Sequence, residues 1–412
     1  MWTRRTLVKT GAACAGLAVA GARARFAYAA TADDRRLIVV ILRGGLDGLA
    51  AVPAIGDSGY TSVRGSLALP QSGDGAPIAL DGFFGLHPAL KKLGEMWRAR
   101  ELAIFHNVST PYRDRSHFDA QNVLESGGTG PHRLGDGWLN RALGPLGLDT
   151  GSGALAVASS PPLLLTGAAQ VTSWQPSLMP GADEEFIARV AQLYEADPVL
   201  GTALRQGLAT RATAEAAIHD DGSPGMTVAA PGNARPDGPR NAAIAPLMEG
   251  AGRILAADES PRVAVFDVSG WDTHSNQGAA DGQLARRLQA LDEGLSALKT
   301  ALGPLWGRTA IVAATEFGRT AAVNGTGGTD HGTAGAVLLL GGAVAGGTVH
   351  AEWTGLKPGS LQDGRDLPPR TDMRAIFKSA LADHLGVPAG VLDSDVFPDS
   401  ASAPSIRGLF RA

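Results

Sequence analysis

Short apolar runs that meet charged tips are what most limit the folds open to this chain. Leu37 to Leu42 (Leu-Ile-Val-Val-Ile-Leu) leads into Arg43-Gly44-Gly45-Leu46-Asp47-Gly48. Val263 to Val268 leads into Ser269-Gly270-Trp271-Asp272-Thr273-His274, and Ala310 to Ala314 into Thr315-Glu316-Phe317-Gly318-Arg319-Thr320. A fourth tip, Gly328-Thr329-Asp330-His331-Gly332-Thr333, adjoins the run Ala336 to Leu340. Runs that are apolar on both faces and bounded by glycine read as central strands of a largely parallel sheet. Each tip carries a carboxylate, and all four are expected at the carboxyl ends of the strands, where open α/β sheets bind ligands.

The spacing between the runs supplies the helices of a doubly wound fold. Leu86, Leu90, Leu93 and Trp97 mark one face of a helix that Pro88 opens, with His87 as a cap or surface group. Leu102 to Phe105 reads as a second strand, Leu155 to Ala158 as a short one, and the stretch near Leu163 as another. Leu284, Leu288, Leu291, Leu295 and Leu298 form the core stripe of a helix over 282–302. Further helices are expected over 242–255 and 371–385, and two over 183–219 that would form an insertion beside the sheet. Residues 54–82 read as surface loop and 220–240, rich in Gly, Pro, Asp and Asn, as an exposed linker. Trp138, Trp174 and Pro176 either line a pocket or pack.

The first thirty residues read as an address, not as part of the fold. Thr3-Arg4-Arg5-Thr6-Leu7-Val8-Lys9 has the twin-arginine pattern, and Ala27-Tyr28-Ala29 is a small-x-small cleavage site. The apolar run between them is too short to span a membrane, which takes about 20 apolar residues. The remainder, 31–412, is read as one α/β domain exported to the periplasm or beyond, with no membrane span. The one cysteine, Cys14, lies inside the leader, so the mature chain offers neither thiolate ligand nor cysteine nucleophile. A net charge of −4 argues against a nucleic-acid partner.

The densest polar stretch is His106-Asn107-Val108-Ser109-Thr110-Pro111-Tyr112-Arg113-Asp114-Arg115-Ser116-His117-Phe118-Asp119. Ser116 precedes a helix that ends near Gly127. It is either a helix cap or a nucleophile held where the helix N-terminus stabilises an anion. Asp47, Asp272, His274, Glu316, Asp330 and His331 collect at the strand ends. Carboxylate and imidazole without sulfur suit a divalent metal, zinc or manganese before magnesium or calcium. Asp272 and His274, two apart on an extended loop, both reach one ion. Such an ion would act as a Lewis acid on a phosphoryl or sulfuryl oxygen and activate a hydroxyl. Arg319 is read either as a clamp for a substrate oxyanion or as an ion-pair partner of Glu316 or a neighbouring loop.

The twin-arginine leader together with Leu42-Arg43-Gly44-Gly45-Leu46-Asp47-Gly48-Leu49, Arg115-Ser116-His117-Phe118-Asp119, Gly270-Trp271-Asp272-Thr273-His274, Thr315-Glu316-Phe317-Gly318-Arg319 and Thr329-Asp330-His331-Gly332 resembles the exported bacterial family called domain of unknown function 1501. That family in turn resembles the alkaline phosphatase and sulfatase superfamily. The resemblance implies a three-layer α/β/α sandwich with one or two metal ions at strand ends. Ser116 would be the nucleophile, His117 a ligand or acid/base group, and Asp47, Asp272, His274, Glu316 and His331 ligands. Asp330 would be a ligand or would orient His331. The chain departs from the superfamily where Glu316-Phe317-Gly318 stands for Asp-His-Gly, which removes one histidine ligand, and where Asp272 and His274 lie closer together than usual.

The first reading is a metal-dependent hydrolase of anionic phosphate or sulfate esters. The rival is a degenerate relative that serves as an exported binding or assembly partner. A third is a sulfatase that uses Ser109.

Overall fold

The computed structural model describes residues 34–176, 184–219, 244–257 and 261–411. The expected leader over 1–30 and the linker expected over 220–240 lie outside the described residues.

Strand β1 (Arg36–Arg43) is flanked on both sides by parallel neighbours. Leu37 pairs with Val263 of β5 (Val263–Ser269) and with Ala310 of β6 (Thr309–Ala314). Beyond β5 come β3 (Thr150–Val157) and β4 (Gln170–Ser173), both parallel. Beyond β6 comes β7 (Gly335–Leu340), which runs antiparallel to it. β2 (Leu102–Ser109) pairs antiparallel with β7, and β8 (Thr348–His350) and β9 (Thr371–Asp372) pair parallel with β2. The sheet order is β8-β2-β7-β6-β1-β5-β3-β4, with β9 also on β2. β7 alone among these strands is reversed, so its amino end lies at the edge where β1, β5 and β6 end.

Period-two alternation divides each strand between two cores. Ile38, Val40 and Leu42 face one side with Ala264, Phe266, Ile311 and Leu338. Leu37, Val39 and Ile41 face the other with Val265, Val312 and Leu339. Helices α2 (Lys91–Arg98), α7 (Ile244–Ala256) and α8 (Gln283–Leu302) cover the first face. Helices α3 (His117–Ser126), α4 (Trp138–Leu143) and α9 (Met373–Ser379) cover the second. The result is the expected three-layer sandwich around a mostly parallel sheet. Each fully buried Leu or Ile contributes roughly 1.5–3 kcal/mol of transfer free energy.

Local chemistry sets the helix ends. α8 buries Leu284, Leu288, Leu291, Leu295, Leu298 and Leu302 on one stripe. It stops at Gly303, whose left-handed backbone turns its N–H back onto Lys299 and Thr300 carbonyls. α2 starts at Lys91 instead of Pro88, because Gly85–Leu86 pairs with Ile78–Ala79 and the chain then turns through His87. The first N–H groups of α2 are taken by the Asp292 carboxylate of α8, at 2.9 and 2.8 Å. His87 is buried, with its ring on the Ala279 carbonyl, so it is neither a cap of α2 nor a surface group. The strand expected near Leu163 is a 3₁₀ turn, Leu163–Leu165. Trp138 packs, stacked on Phe377 at 4.6 Å. Of the expected insertion, α5 (Glu184–Tyr194) and α6 (Pro198–His219) are described, with α6 against α7.

Candidate metal centre

Two glycines let three strand tips touch. Gly44, at φ +120°, sits where a Cβ would lie 2.6 Å from the Asp272 backbone nitrogen. Gly45, at φ +69°, leaves room for Phe317, whose ring a Cβ would meet at 2.7 Å. Only glycine takes both the backbone angle and the space. The tips after β1, β5 and β6 thus meet over the sheet edge, and the loop before the reversed β7 brings Asp330 and His331 to the same place.

Three imidazoles converge there. His331 Nε2 lies 2.9 Å from His117 Nε2 and 2.9 Å from His274 Nε2. Asp272 Oδ1 is 3.0 Å from His274 Nε2 and 3.3 Å from His331 Nε2, and Asp272 Oδ2 is 3.5 Å from His117 Nε2. Ligand atoms about 2 Å from a tetrahedral ion stand roughly 3.3 Å apart, which these separations approach. One oxygen or nitrogen from each of His117, Asp272 and His331 lies within 4.8 Å of the others. Side-chain exposures of 23, 26, 40 and 43% for His117, His331, Asp272 and His274 leave the cluster open to solvent.

The other face of each ring fixes its tautomer. His117 Nδ1 donates to Glu316 Oε1 at 2.7 Å, His331 Nδ1 to the Arg115 carbonyl at 3.0 Å, and His274 Nδ1 to Asp330 Oδ1 at 3.3 Å. A carbonyl accepts only, so the proton of His331 sits on Nδ1. Glu316 Oε1 also accepts from Gly44 N and Gln121 Nε2, and Asp330 Oδ1 accepts from Asn324, so both behave as ionised acceptors. With each Nδ1 turned away onto an acceptor, the Nε2 atoms of His117 and His274 both point at that of His331. Nitrogens this close need a proton or a metal ion between them. An imidazole whose far nitrogen is held by a carboxylate or carbonyl is what metal-binding histidines present. Arg115 holds its carbonyl in place with a left-handed backbone, φ 60°, a strained conformation for a non-glycine residue.

The same bonds set the electrostatics of the centre. Burial pushes the Glu316 carboxyl up, but the hydrogen bonds from His117, Gln121 and Gly44 outweigh it and hold it below the usual range. Burial likewise opposes Asp272, and the Arg319 guanidinium overcomes it. The hydrogen bond to Glu316 raises His117, whereas burial and the neighbouring His117 lower His331. Asp330 is held low by Asn324, against a smaller effect of burial.

Several expected roles are reassigned. Asp47 is buried, and both its oxygens are spent: Oδ1 on Ala50 N at 3.1 Å, capping α1 (Gly48–Ala51), and Oδ2 on Arg64 at 2.6 Å and Gln277 at 2.8 Å. Asp47 thus serves the tip itself and does not join the ligand atoms that converge from His117, Asp272 and His331. Glu316 and Asp330 stand behind His117 and His274 instead of facing the centre, and Asp330 orients His274, not His331. Arg319 is fully buried, with Nη1 on Asp272 Oδ1 at 2.6 Å and Nη2 on the Thr329 carbonyl at 2.6 Å, so it fixes Asp272 and is not free to clamp a substrate. Ser116 is the N-cap residue of α3, yet its hydroxyl makes no capping bond. Ser109 is buried with its hydroxyl unpartnered, which removes support from a nucleophile there.

Sequence reasoning missed Gln121, Gln277 and Arg64. Gln121 lies four residues after His117 on α3, on the same helix face, and holds Glu316. That spacing was a usable signal. Gln277 is buried and accepts from Thr273 Oγ1 at 2.7 Å and Thr329 Oγ1 at 3.0 Å, tying the two ligand loops together. Nothing local in the sequence distinguishes it.

A family model described as "Protein of unknown function (DUF1501)" matches residues 99–394. No curated protein matches the chain. Among solved structures, the lipoteichoic acid synthase LtaP from Listeria monocytogenes is similar at 9% identity and a TM-score of 0.38, over 88% of this chain and 76% of that one. The phosphonate monoester hydrolase of Agrobacterium radiobacter is similar at 13% identity and a TM-score of 0.32, over 86% and 74%. Ps i-CgsB in complex with k-i-k-neocarrahexaose is similar at 12% identity and a TM-score of 0.36, over 76% and 68%.

Proposed function

The chain belongs to the DUF1501 family, and from the centre it carries we propose that it is an exported, metal-dependent hydrolase of phosphate or sulfate esters. The observation that carries this reading is the convergence of three Nδ1-anchored imidazoles on one carboxylate at an open sheet edge. His117, His274, His331 and Asp272 would hold one ion, zinc or manganese by the chemistry of the donors. When bound, the ion supplies Lewis acidity to an ester oxygen and lowers the pKa of a hydroxyl it touches. Ser116, one residue before His117 and uncommitted to its own helix, is the hydroxyl we assign as nucleophile. Its place at the N-terminus of α3 favours the negative charge of the ester. Glu316, Asp330 and the Arg115 carbonyl keep the rings aimed, and Arg319 keeps Asp272 ionised and fixed.

Export through the twin-arginine machinery to the periplasm or beyond belongs to the same proposal and rests on Arg4, Arg5 and the segment after them. Among the described residues no helix is long and apolar enough to cross a membrane. A second reading, an exported binding or assembly partner without catalysis, is favoured by one observation. Arg64 and Arg319 are committed to Asp47 and Asp272, so neither guanidinium is free to hold a substrate oxyanion.

The test is metal content by mass spectrometry on purified protein beside a His117→Ala/His331→Ala double variant. About one equivalent of transition metal in the parent, lost in the variant, supports the centre. Hydrolysis of 4-nitrophenyl esters that disappears in Ser116→Ala then supports the nucleophile. A folded parent that neither contains nor takes up metal overturns the hydrolase and leaves the binding partner.

A further inference from the structure

The apolar stripes that face α3 end in opposite charges. Along β1, Leu37, Val39 and Ile41 point to the second face of the sheet, and the next residue of that period is Arg43. Along β5, Val263 and Val265 point the same way, and the next is Asp267. The helix above answers in its own period: His117, Gln121 and Glu125 stand four apart on one face of α3. Arg43 ties these groups together. Its Nε donates to Asp267 Oδ2, and its Nη1 to Glu125 Oε1 at 2.7 Å and to Gln121 Oε1 at 3.0 Å. Glu125 is buried, with Oε2 on the Leu164 N–H at 3.0 Å.

The direction of each bond from Arg43 to the centre is fixed by chemistry. A guanidinium only donates, and an ionised carboxylate only accepts. The Gln121 amide, caught between Arg43 and Glu316, therefore has one orientation, oxygen to Arg43 and nitrogen to Glu316 Oε1 at 3.0 Å. Glu316 Oε1 accepts in turn from His117 Nδ1 at 2.7 Å, which turns the other ring nitrogen toward His331. Packing alone does not call for charge here, because a mostly buried ion cluster is often no more stabilising than apolar side chains of similar size. What the guanidinium adds is geometry. By holding Gln121 and Glu125, one turn apart, against β1 and β5, it fixes the rotation and height of α3 over the sheet edge.

We infer that Arg43 is a positioning residue of the centre, acting through Gln121 and Glu316 on the His117 ring. Its consequence for a bound ion rests on the metal-dependent reading above; its consequence for the ring does not.

The experiment uses the full chain beside Arg43→Met, Arg43→Lys and Gln121→Met. Gln121→Met cuts the relay while leaving Arg43 with both carboxylates, so it carries the test should Arg43→Met fail to fold. The first readout is zinc affinity, by competition with a chromophoric chelator. Arg43→Met and Gln121→Met should each raise the dissociation constant about tenfold. Arg43→Lys, which keeps a donor but not the planar fork, should raise it about threefold. The double variant Arg43→Met/Gln121→Met should bind no more weakly than the worse single, because both changes cut one path. The second readout needs no ion. In chelator-stripped protein with isotope-labelled histidine, the His117 Nδ1 proton held by Glu316 gives a magnetic resonance signal that should move or vanish in Arg43→Met and Gln121→Met. The signal of His384, bonded to the Arg36 carbonyl at the far end of β1, should hold and so report an intact fold. Unchanged zinc binding in both variants, or additive losses in the double, overturns the inference and leaves the metal centre standing. A His117 signal unmoved in both overturns it whatever the parent binds. A parent that takes up no zinc, but whose His117 signal moves in both variants, sinks the hydrolase reading and keeps Arg43 as the residue that aims the ring.

Discussion

Replacing Arg64 with methionine is expected to destabilise the protein by about 3–5 kcal/mol and to leave metal binding intact. The side chains of Arg64 and Asp47 are 0 and 2% exposed, and their closest atoms lie 2.6 Å apart. Without the guanidinium, Asp47 Oδ2 keeps the Gln277 amide and Oδ1 keeps Ala50 N, but the buried charge has lost its counter-ion. Burial already pushes this carboxyl up, and the Arg64 charge is what holds it down. Asp47→Asn makes the complementary error: it leaves a buried guanidinium whose remaining hydrogen bond, at 3.1 Å, goes to the Ala321 carbonyl. The double variant Arg64→Met/Asp47→Asn removes both charges, and its loss should fall short of the sum of the singles by about 2–3 kcal/mol. Urea unfolding measures all three, provided m stays constant. Metal content is read on the same samples. An Asp47→Asn protein that is folded but stripped of metal would make Asp47 a ligand and refute the assignment. A loss below about 1 kcal/mol in Arg64→Met would refute the claim that the pair stabilises the tip.

Two further outcomes follow from the same reasoning. Glu316→Gln removes the charge that accepts from His117, Gln121 and Gly44, so the metal dissociation constant should rise about 10–100-fold; competition with a chromophoric chelator reads it, and an unchanged constant would rule out an orienting role. Burial holds the His384 imidazole, whose Nε2 meets the Arg36 carbonyl at 2.9 Å, down to about 4 from an ordinary 6.5. The fold favours the neutral ring, so this contribution is intact above pH 6.5 and is lost as the pH falls toward 4, up to about 3 kcal/mol. His384→Gln, which keeps a donor for Arg36, should flatten that decline in unfolding curves taken at pH 7 and 4.5, and parallel declines in the two proteins would sink the account.

The strand cores and the meeting of the tips were legible because they depend on local pattern. Apolar runs bounded by glycine gave β1, β5, β6 and β7, and Asp272, His274 and His331 were placed at one edge. Direction was not legible. An apolar run reads the same either way, so the reversal of β7, which brings the loop of Asp330 and His331 at its amino end to the edge where β1, β5 and β6 finish, waited for the pairing with β6. Nor was the partner of each acid. Asp47 looked like a ligand because nothing in the chain announces that Arg64 turns beneath it. Glu316 looked like a ligand because a carboxylate that faces an ion and one that faces the back of an imidazole share one sequence signature. β2 extended past Phe105 to Ser109, where Asn107 takes a left-handed backbone within a register shift that an apolar count does not register.

The order in which the ligands occur along the chain has a kinetic consequence. His117 precedes β3, Asp272 and His274 follow β5, and His331 follows β6. The imidazoles meet only after strands distant in sequence have paired, as Leu37 does with both Val263 and Ala310. Long-range pairing of this kind is slow, because loop closure must precede the contacts that reward it. No early, local fragment of the chain contains the site, so an ion has nothing to bind until the sheet is assembled. On the proposed reading its binding energy would fall on the native state alone, lowering the rate of unfolding while leaving the rate of folding unchanged. Such an ion would latch a finished fold and would not seed it.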